Sequence, residues 1–175
     1  RVIPAPRRTR SPPNRLEQRV FDLRGKTALV TGASRGIGRA CAQALAACGA
    51  DVAVNFLSSP EGAAESVRLV QSHGVRGLAV RADISEPEDV AAAVEAVLER
   101  FGRLDIVVSN AAAGGFRPLM DVGPANWESV IRSNAAPLLW LAQAAAPAMR
   151  SIGAGKFIAI SSHGSLRAFS NYGAI

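Results

Sequence analysis

Eight consecutive residues, Thr31-Gly32-Ala33-Ser34-Arg35-Gly36-Ile37-Gly38, combine three glycines with a cation. Glycines remove Cβ atoms where backbone must approach a pyrophosphate, and a helix opening behind them supplies free N–H groups and partial positive charge. Any tight strand-to-helix turn can hold glycines, so the pattern alone says little. Here an apolar run precedes it and helical spacing follows it. That context makes Gly32, Ser34, Arg35, Gly36, Ile37 and Gly38 a dinucleotide-phosphate site. The end of the next strand then chooses the cofactor. An NAD site places an acid there to hold the ribose 2′-OH. This chain reads Val54-Asn55-Phe56-Leu57-Ser58-Ser59, without an acid, and Asp51 stands at the strand's other end. With no carboxylate to repel a 2′-phosphate and Arg35 able to reach one, the expected cofactor is NADPH, and Asn55 is grouped with its binding residues.

Other reactive types are few. Cys41 and Cys48 lie seven apart in an Ala-rich helical pattern, which suits neither a disulfide framework nor a zinc site. Ser162 and His163 are adjacent, but neighbouring side chains rarely face one another and no G-x-S-x-G elbow surrounds the Ser, so a hydrolase is excluded. Asn134 stands three residues before Pro137, which lacks an N–H and frees the carbonyl of Ser133. A kinked helix is expected there, with Asn134 or the freed carbonyl holding a water.

These residues need a frame that brings strand ends side by side. Residues 27–32 (TALVTG), 51–56 (DVAVNF), 78–82, 104–109 (LDIVVS) and 156–161 (KFIAIS) read as five short apolar strands. Helical spacing separates them. It runs from Arg39 to Gly49, from Ser59-Pro60 to about His73, and from the capping box Ser85-Glu86-Pro87-Glu88 to Phe101-Gly102, with a long Ala-rich helix over roughly 125–150. Trp127, Trp140 and Met149 on the long helix read as core or partner-helix contacts. Alternating strands and helices predict an α/β fold, a doubly wound parallel sheet of Rossmann type in the order 3-2-1-4-5.

The chain has 175 residues, 49% hydrophobic and 19% charged, which supports one packed domain and argues against global disorder. No apolar run approaches the ~20 residues of a membrane span. Residues 1–26 hold eight of the twenty basic residues with only Glu17 and Asp22 against them, while the remainder is balanced. The net charge of +6 therefore belongs to a tail. A nucleic-acid binder would carry its charge on the folded face, so neither nucleic acid nor membrane is expected as a partner. Residues 1–24, with Pro4, Pro6, Pro12 and Pro13, read as a disordered basic extension, and 25–175 as the cofactor-binding domain. No secretory h-region stands in the extension, and a cytoplasmic location is expected.

Residues 27–175 resemble the short-chain dehydrogenase/reductase family. TGASRGIG (31–38) matches its cofactor turn. Asp83-Ile84 matches its adenine-contacting position, and Asn110-Ala111 the surviving half of its Asn-Asn-Ala-Gly motif. The resemblance implies that Asn134 holds a proton-relay water and that Ser162 is the active-site Ser. Within the family, 101–120 with Trp127, and ISSHGSLRAFSNYGAI (160–175), are similar to the NADPH-dependent enoyl-acyl-carrier-protein reductases of the third type. Most members have their Tyr at the position that is Ile175 here. This chain's only Tyr is Tyr172, three residues earlier, as in the enoyl reductases. The partner Lys would then fall at position 179, beyond Ile175. The resemblance thus implies a domain lacking its last strands, inactive alone, with the fifth strand an exposed edge.

The expected reaction is NADPH-dependent reduction of an enoyl thioester carried by acyl carrier protein or coenzyme A, in acyl-chain synthesis. Tyr172, protonated at neutral pH because a phenol titrates near ~10, would donate to the thioester oxygen. Ser162 would orient it, with Ser161 and Ser165 as rivals. The resemblance also implies a homo-oligomer packed through the long helix. A 3-oxoacyl or other carbonyl reductase of the same family is the enzymatic alternative. A non-catalytic nucleotide-binding fragment is the alternative of another class, and a polyanion-binding module built on the Arg tail is the remaining one.

Overall fold

The computed structural model describes residues 21–167 and 169–172. Residues 1–20, most of the expected extension, lie outside the described residues. Contacts with the body begin before Gly25. Leu23 N–H donates to Cys48 O, and the Leu23 side chain packs on the core.

Five parallel strands, β1 (Thr27–Val30), β2 (Asp51–Phe56), β3 (Gly77–Arg81), β4 (Ile106–Ser109) and β5 (Lys156–Ala159), form one sheet in the order β3-β2-β1-β4-β5. The expected order is the observed one. Burial within the strands follows the side-chain period of two. Ala28, Val30, Val52, Val54, Ile106 and Val108 bury on one face, under helices α1 (Gly36–Ala47) and α2 (Pro60–Gln71). Leu29, Ala53 and Val107 bury on the other, under α3 (Pro87–Phe101) and α5 (Ala136–Ser151). Every central position must be apolar, so no polar alternation survives. The outer strand β5 differs, with all four residues exposed.

Local signals place most helix ends. Ser59 is the N-cap of α2 with Pro60 at its first position, though the Ser59 hydroxyl makes no capping bond. Gly102, at φ +80°, closes α3 with its N–H on Leu98 O at 2.7 Å. The capping box at Ser85 is corrected. The N-cap is Glu86, and the Ser85 hydroxyl instead donates to Asp83 Oδ1 at 2.7 Å. The helix begins one residue later than the box requires, with Pro87 as its first residue, so Ser85 precedes the N-cap and is not placed to accept from Glu88 N–H. Asp89, in the first turn of α3, accepts from Asp83 N–H at 2.8 Å and ties the helix start to the loop.

The long helix over 125–150 is three pieces: α4 (Pro124–Val130), a π-helical turn (Ile131–Ala135), and α5. The disruption falls where Pro137 removes the N–H that would have continued the ladder. Trp140 and Met149 pack against the core as expected, whereas Trp127 is exposed.

At the foot of the sheet Asp105 is buried. It accepts from Thr27 N–H at 2.9 Å and from Arg103, and pairs with Lys26 at 3.3 Å. Burial raises its carboxyl pKa, but the donors from Arg103, Thr27 and Lys26 outweigh that and hold it below the usual value. No helix among the described residues is long and apolar enough to cross a membrane.

Candidate functional site

The parallel order sets the C-terminal ends of β1, β2, β3 and β4 beside one another, with the chain diverging to opposite faces after β1 and β4. A crevice opens at such a switch point. Here it is a cleft of about 560 Å³. All eleven residues assigned to the cofactor from sequence line it: Gly32, Ser34, Arg35, Gly36, Ile37 and Gly38 from the turn, Asn55, Asp83 and Ile84 from the β2 and β3 ends, and Asn110 and Ala111 after β4. Leu57, Ser58, Ala82, Ala112, Ala113 and Ser133 also line it and were not assigned to the cofactor.

Buried polar groups hold the turn rigid. Thr31 Oγ1 accepts from Asn110 N–H at 2.9 Å and from Ala111 N–H at 3.0 Å, and donates to Val108 O at 3.4 Å. The Asn110 amide donates to Thr31 O at 2.9 Å and Gly32 O at 3.3 Å. A Cβ on Gly32 would lie 2.8 Å from Ala111 Cα, and one on Gly38 2.5 Å from both Asn110 Nδ2 and Gly32 O, so neither position accepts a side chain. On the other flank Arg39 donates to Ser34 O, to Gly62 O at 3.1 Å and to Ser66 Oγ at 2.9 Å. Thr31 and Arg39 are the positioning residues that sequence reasoning missed. Thr31 at a strand end before glycines was a usable local signal. Arg39 was not, because Ser66 lies 27 residues away.

Asn55 is in the cleft wall, but its polar atoms are committed. Oδ1 accepts from Gly32 N–H at 3.2 Å, and Nδ2 donates to Val80 O and Ala82 O. Its side chain therefore ties the turn to β3 from a buried place on β2, between β1 and β3.

The cleft fits a dinucleotide on its own geometry. Helix α1 starts at Gly36 with no acid in its first turn and no side-chain cap, so its leading N–H groups remain available. Nothing lies within 4 Å of where a Gly36 Cβ would stand, so the helix start faces open space. Arg35 is exposed, and Asp83, the one acid in the lining, is turned to Ser85 N–H and hydroxyl.

The three residues expected to be catalytic do not line this cleft. Asn134 lies in the π-helical turn at its end, where Oδ1 accepts from Ala113 N–H at 2.8 Å and from the Ser133 hydroxyl at 3.0 Å. Tyr172 lines a separate hollow of about 430 Å³ with Leu119 and Leu166, its ring between Phe116 and Phe169 at centroid distances of 5.2 and 5.6 Å. Ser162 and Tyr172 meet at Gly164. A Cβ there would lie 2.6 Å from Tyr172 Cε1 and 3.3 Å from Ser162 Oγ, while Ser162 Oγ accepts from Gly164 N–H at 3.1 Å. Arg117 N–H donates to Asn171 O at 2.7 Å and joins the segment after β4 to the Tyr172 segment. Ser161 and Ser165, the rivals of Ser162, are bonded to each other at 3.1 Å.

Residues 26–174 match the family model described as short chain dehydrogenase. The chain belongs to the short-chain dehydrogenase/reductase family. It is 40% identical over 156 residues to the 1-cyclohexenylcarbonyl-CoA reductase of Streptomyces collinus, covering 89% of this chain and 55% of that protein. It is 39% identical over 137 residues to the 3-oxoacyl-[acyl-carrier-protein] reductase FabG of Staphylococcus aureus, covering 78% and 56%. A solved structure of 7α-hydroxysteroid dehydrogenase with NADH and 7-oxo glycochenodeoxycholic acid superposes with a TM-score of 0.82 at 31% identity, covering 87% of this chain and 59% of that one. The chain spans about half the length of the curated relatives it matches. The cleft fits a nicotinamide dinucleotide of the kind named in the solved relative, which holds NADH.

Proposed function

We propose that the protein reduces an enoyl thioester with NADPH, the acyl group being carried by coenzyme A or acyl carrier protein. The observation that carries this reading is the convergence of the only Tyr, Tyr172, and Ser162 on Gly164. That Tyr sits three residues earlier than in most of the family, as in the enoyl reductases the sequence resembles. The 40% identical relative supports the same reading. Its named substrate, a cyclohexenylcarbonyl thioester, has a ring double bond conjugated to the thioester carbonyl. NADPH is supported by the cleft's exposed Arg35 and by the absence of an acid on Leu57–Ser59.

When bound, the nicotinamide supplies a hydride to the acyl β-carbon. This chain's residues manage the charge and the proton. As the α,β double bond opens and negative charge develops on the thioester oxygen, the Tyr172 hydroxyl would donate a hydrogen bond to that oxygen and Ser162 would orient it, and a proton taken up from solvent at the α-carbon would complete the reduction. Asn134, held by Ala113 N–H, keeps the proton relay at the cleft's end. Leu119, Phe116 and Leu166 give the acyl chain an apolar surface beside Tyr172. Assembly of a homo-oligomer through exposed Trp127 and Leu139 on α4 and α5, and a cytoplasmic location, belong to the same proposal.

The second reading, carbonyl reduction of a 3-oxoacyl thioester, is favoured by the 39% identity to the 3-oxoacyl-[acyl-carrier-protein] reductase. Crotonyl- and acetoacetyl-thioesters assayed with NADPH separate the two. Faster crotonyl reduction is expected, and predominant acetoacetyl reduction would replace the first reading with the second. NADPH binding without turnover of either would leave only a nucleotide-binding role.

A further inference from the structure

We propose that Arg81 is a second recognition group for the cofactor's 2′-phosphate, acting opposite Arg35. The inference rests on the NADPH reading above and extends it to a residue outside the glycine turn. It starts from topology. In the order β3-β2-β1, the end of β2 is flanked on one side by the turn after β1, which carries Arg35, and on the other by the end of β3. Arg81 is the last residue of β3 and pairs in register with Phe56, the last of β2. Its Nε donates to Leu57 O at 3.2 Å, which ties the exposed side chain to the end of β2 next to the cleft-lining Leu57 and Ser58, although Arg81 itself is outside the lining.

That bond uses one of the five N–H donors of the side chain. Neither Arg81 nor Arg35 forms an ion pair among the described residues. The nearest acid along β3's exit, Asp83, is committed to Ser85. A guanidinium fixed through Nε presents its remaining donors as a planar fork, the geometry that matches a phosphate monoester. A ribose 2′-OH has no charge for it to meet. Arg81 should therefore discriminate between the phosphorylated and unphosphorylated cofactors rather than strengthen both. A guanidinium that only caps the β2 end predicts no such discrimination.

The test is equilibrium titration of the intact protein with NADPH and with NADH, followed by nicotinamide fluorescence, for wild type, Arg81→Gln and Arg81→Lys. Arg81→Gln should raise the NADPH Kd about tenfold and leave the NADH Kd within about twofold, as loss of one charge-assisted bond implies. Arg81→Lys, which keeps the charge but loses the Nε anchor, should fall between them. Circular dichroism checks that each variant is folded, and the NADH titration checks that its cleft is intact. If wild type prefers NADPH and Arg81→Gln keeps that preference, the Arg81 assignment is wrong while the cofactor reading stands. If Arg81→Gln weakens both cofactors equally, the residue serves only to hold the loop. If wild type binds both cofactors alike, the NADPH reading fails and the Arg81 role with it.

Discussion

The cofactor cleft and the Tyr172 hollow lie on the same sheet edge but are built in opposite ways. Around the cleft, Thr31 and Asn55 are almost fully buried, and with Asn110 they spend their polar atoms on backbone groups of β1, β3, β4 and the turn. These bonds fix the backbone of the turn that faces the ligand. Around Tyr172, positions are set by three aromatic rings, one glycine contact and a main-chain bond from Arg117 to Asn171, all on loops following β4 and β5. Met120 is 91% exposed and Leu166 83%. A phosphate-binding surface gains from rigidity, because its partner is always the same group. A surface for the proposed acyl substrates would tolerate looser support.

The largest effect should come from breaking the looser side chemically. Tyr172→Phe removes the proposed donor and should lower turnover about 10²–10⁴-fold while the NADPH Kd is kept, as loss of one positioned acid implies. Steady-state rates paired with cofactor titration check this, and an unchanged rate would remove Tyr172 from the chemistry. The packing contrast is next. Leu29→Ala, in the closed core between α3 and β1, should cost about 3 kcal/mol, whereas Ile158→Ala on the exposed strand β5 should cost about 1 kcal/mol or less. Urea unfolding measures both, and equal losses would show that β5 is as well supported as the centre of the sheet. Thr31→Val sharpens the comparison further. It keeps the side-chain shape but leaves Asn110 N–H and Ala111 N–H without their acceptor, so stability should fall by about 2 kcal/mol and cofactor affinity with it.

The smallest effect is at the far end of the sheet. Asp105 has its pKa depressed in the fold, so its contribution is complete above the unfolded carboxyl value of 3.8 and fades as pH falls through the lower, folded value. Asp105→Asn should therefore flatten the acid limb of the stability profile below about pH 4 without changing its slope near neutrality. Unfolding midpoints across pH 2–7 would check this, and an unaltered acid limb would assign that loss to other carboxylates.

Local pattern carried much of this molecule. The glycine turn, the Ser59-Pro60 start and the Gly102 stop each depend on neighbours within a few residues, and all were legible. The disturbed helix before Pro137 was too, since a missing N–H acts within one turn, though its form as a π-helical turn was not. The Ser85 cap was misread because the helix starts one residue later, at Pro87, which moves the N-cap to Glu86. That the Asn55 side chain is bonded to Gly32, Val80 and Ala82 was not legible, because its neighbours in sequence do not reveal those partners.

The sequence by itself determined the alternation of strands and helices and the position of the phosphate turn, because hydrophobic period and turn chemistry act over short stretches, whereas Asp83, Ile84, Asn110 and Ala111 were reached through the family resemblance. Only the tertiary structure decided which polar groups are already spent, as with Asn55 and Thr31, and which cations remain exposed at or beside the cleft, as with Arg35 and Arg81. It also decided that Ser162 and Tyr172 face one glycine. Those outcomes depend on which strand ends lie side by side, and hydrogen bonds across 23 to 80 residues leave no mark on local pattern.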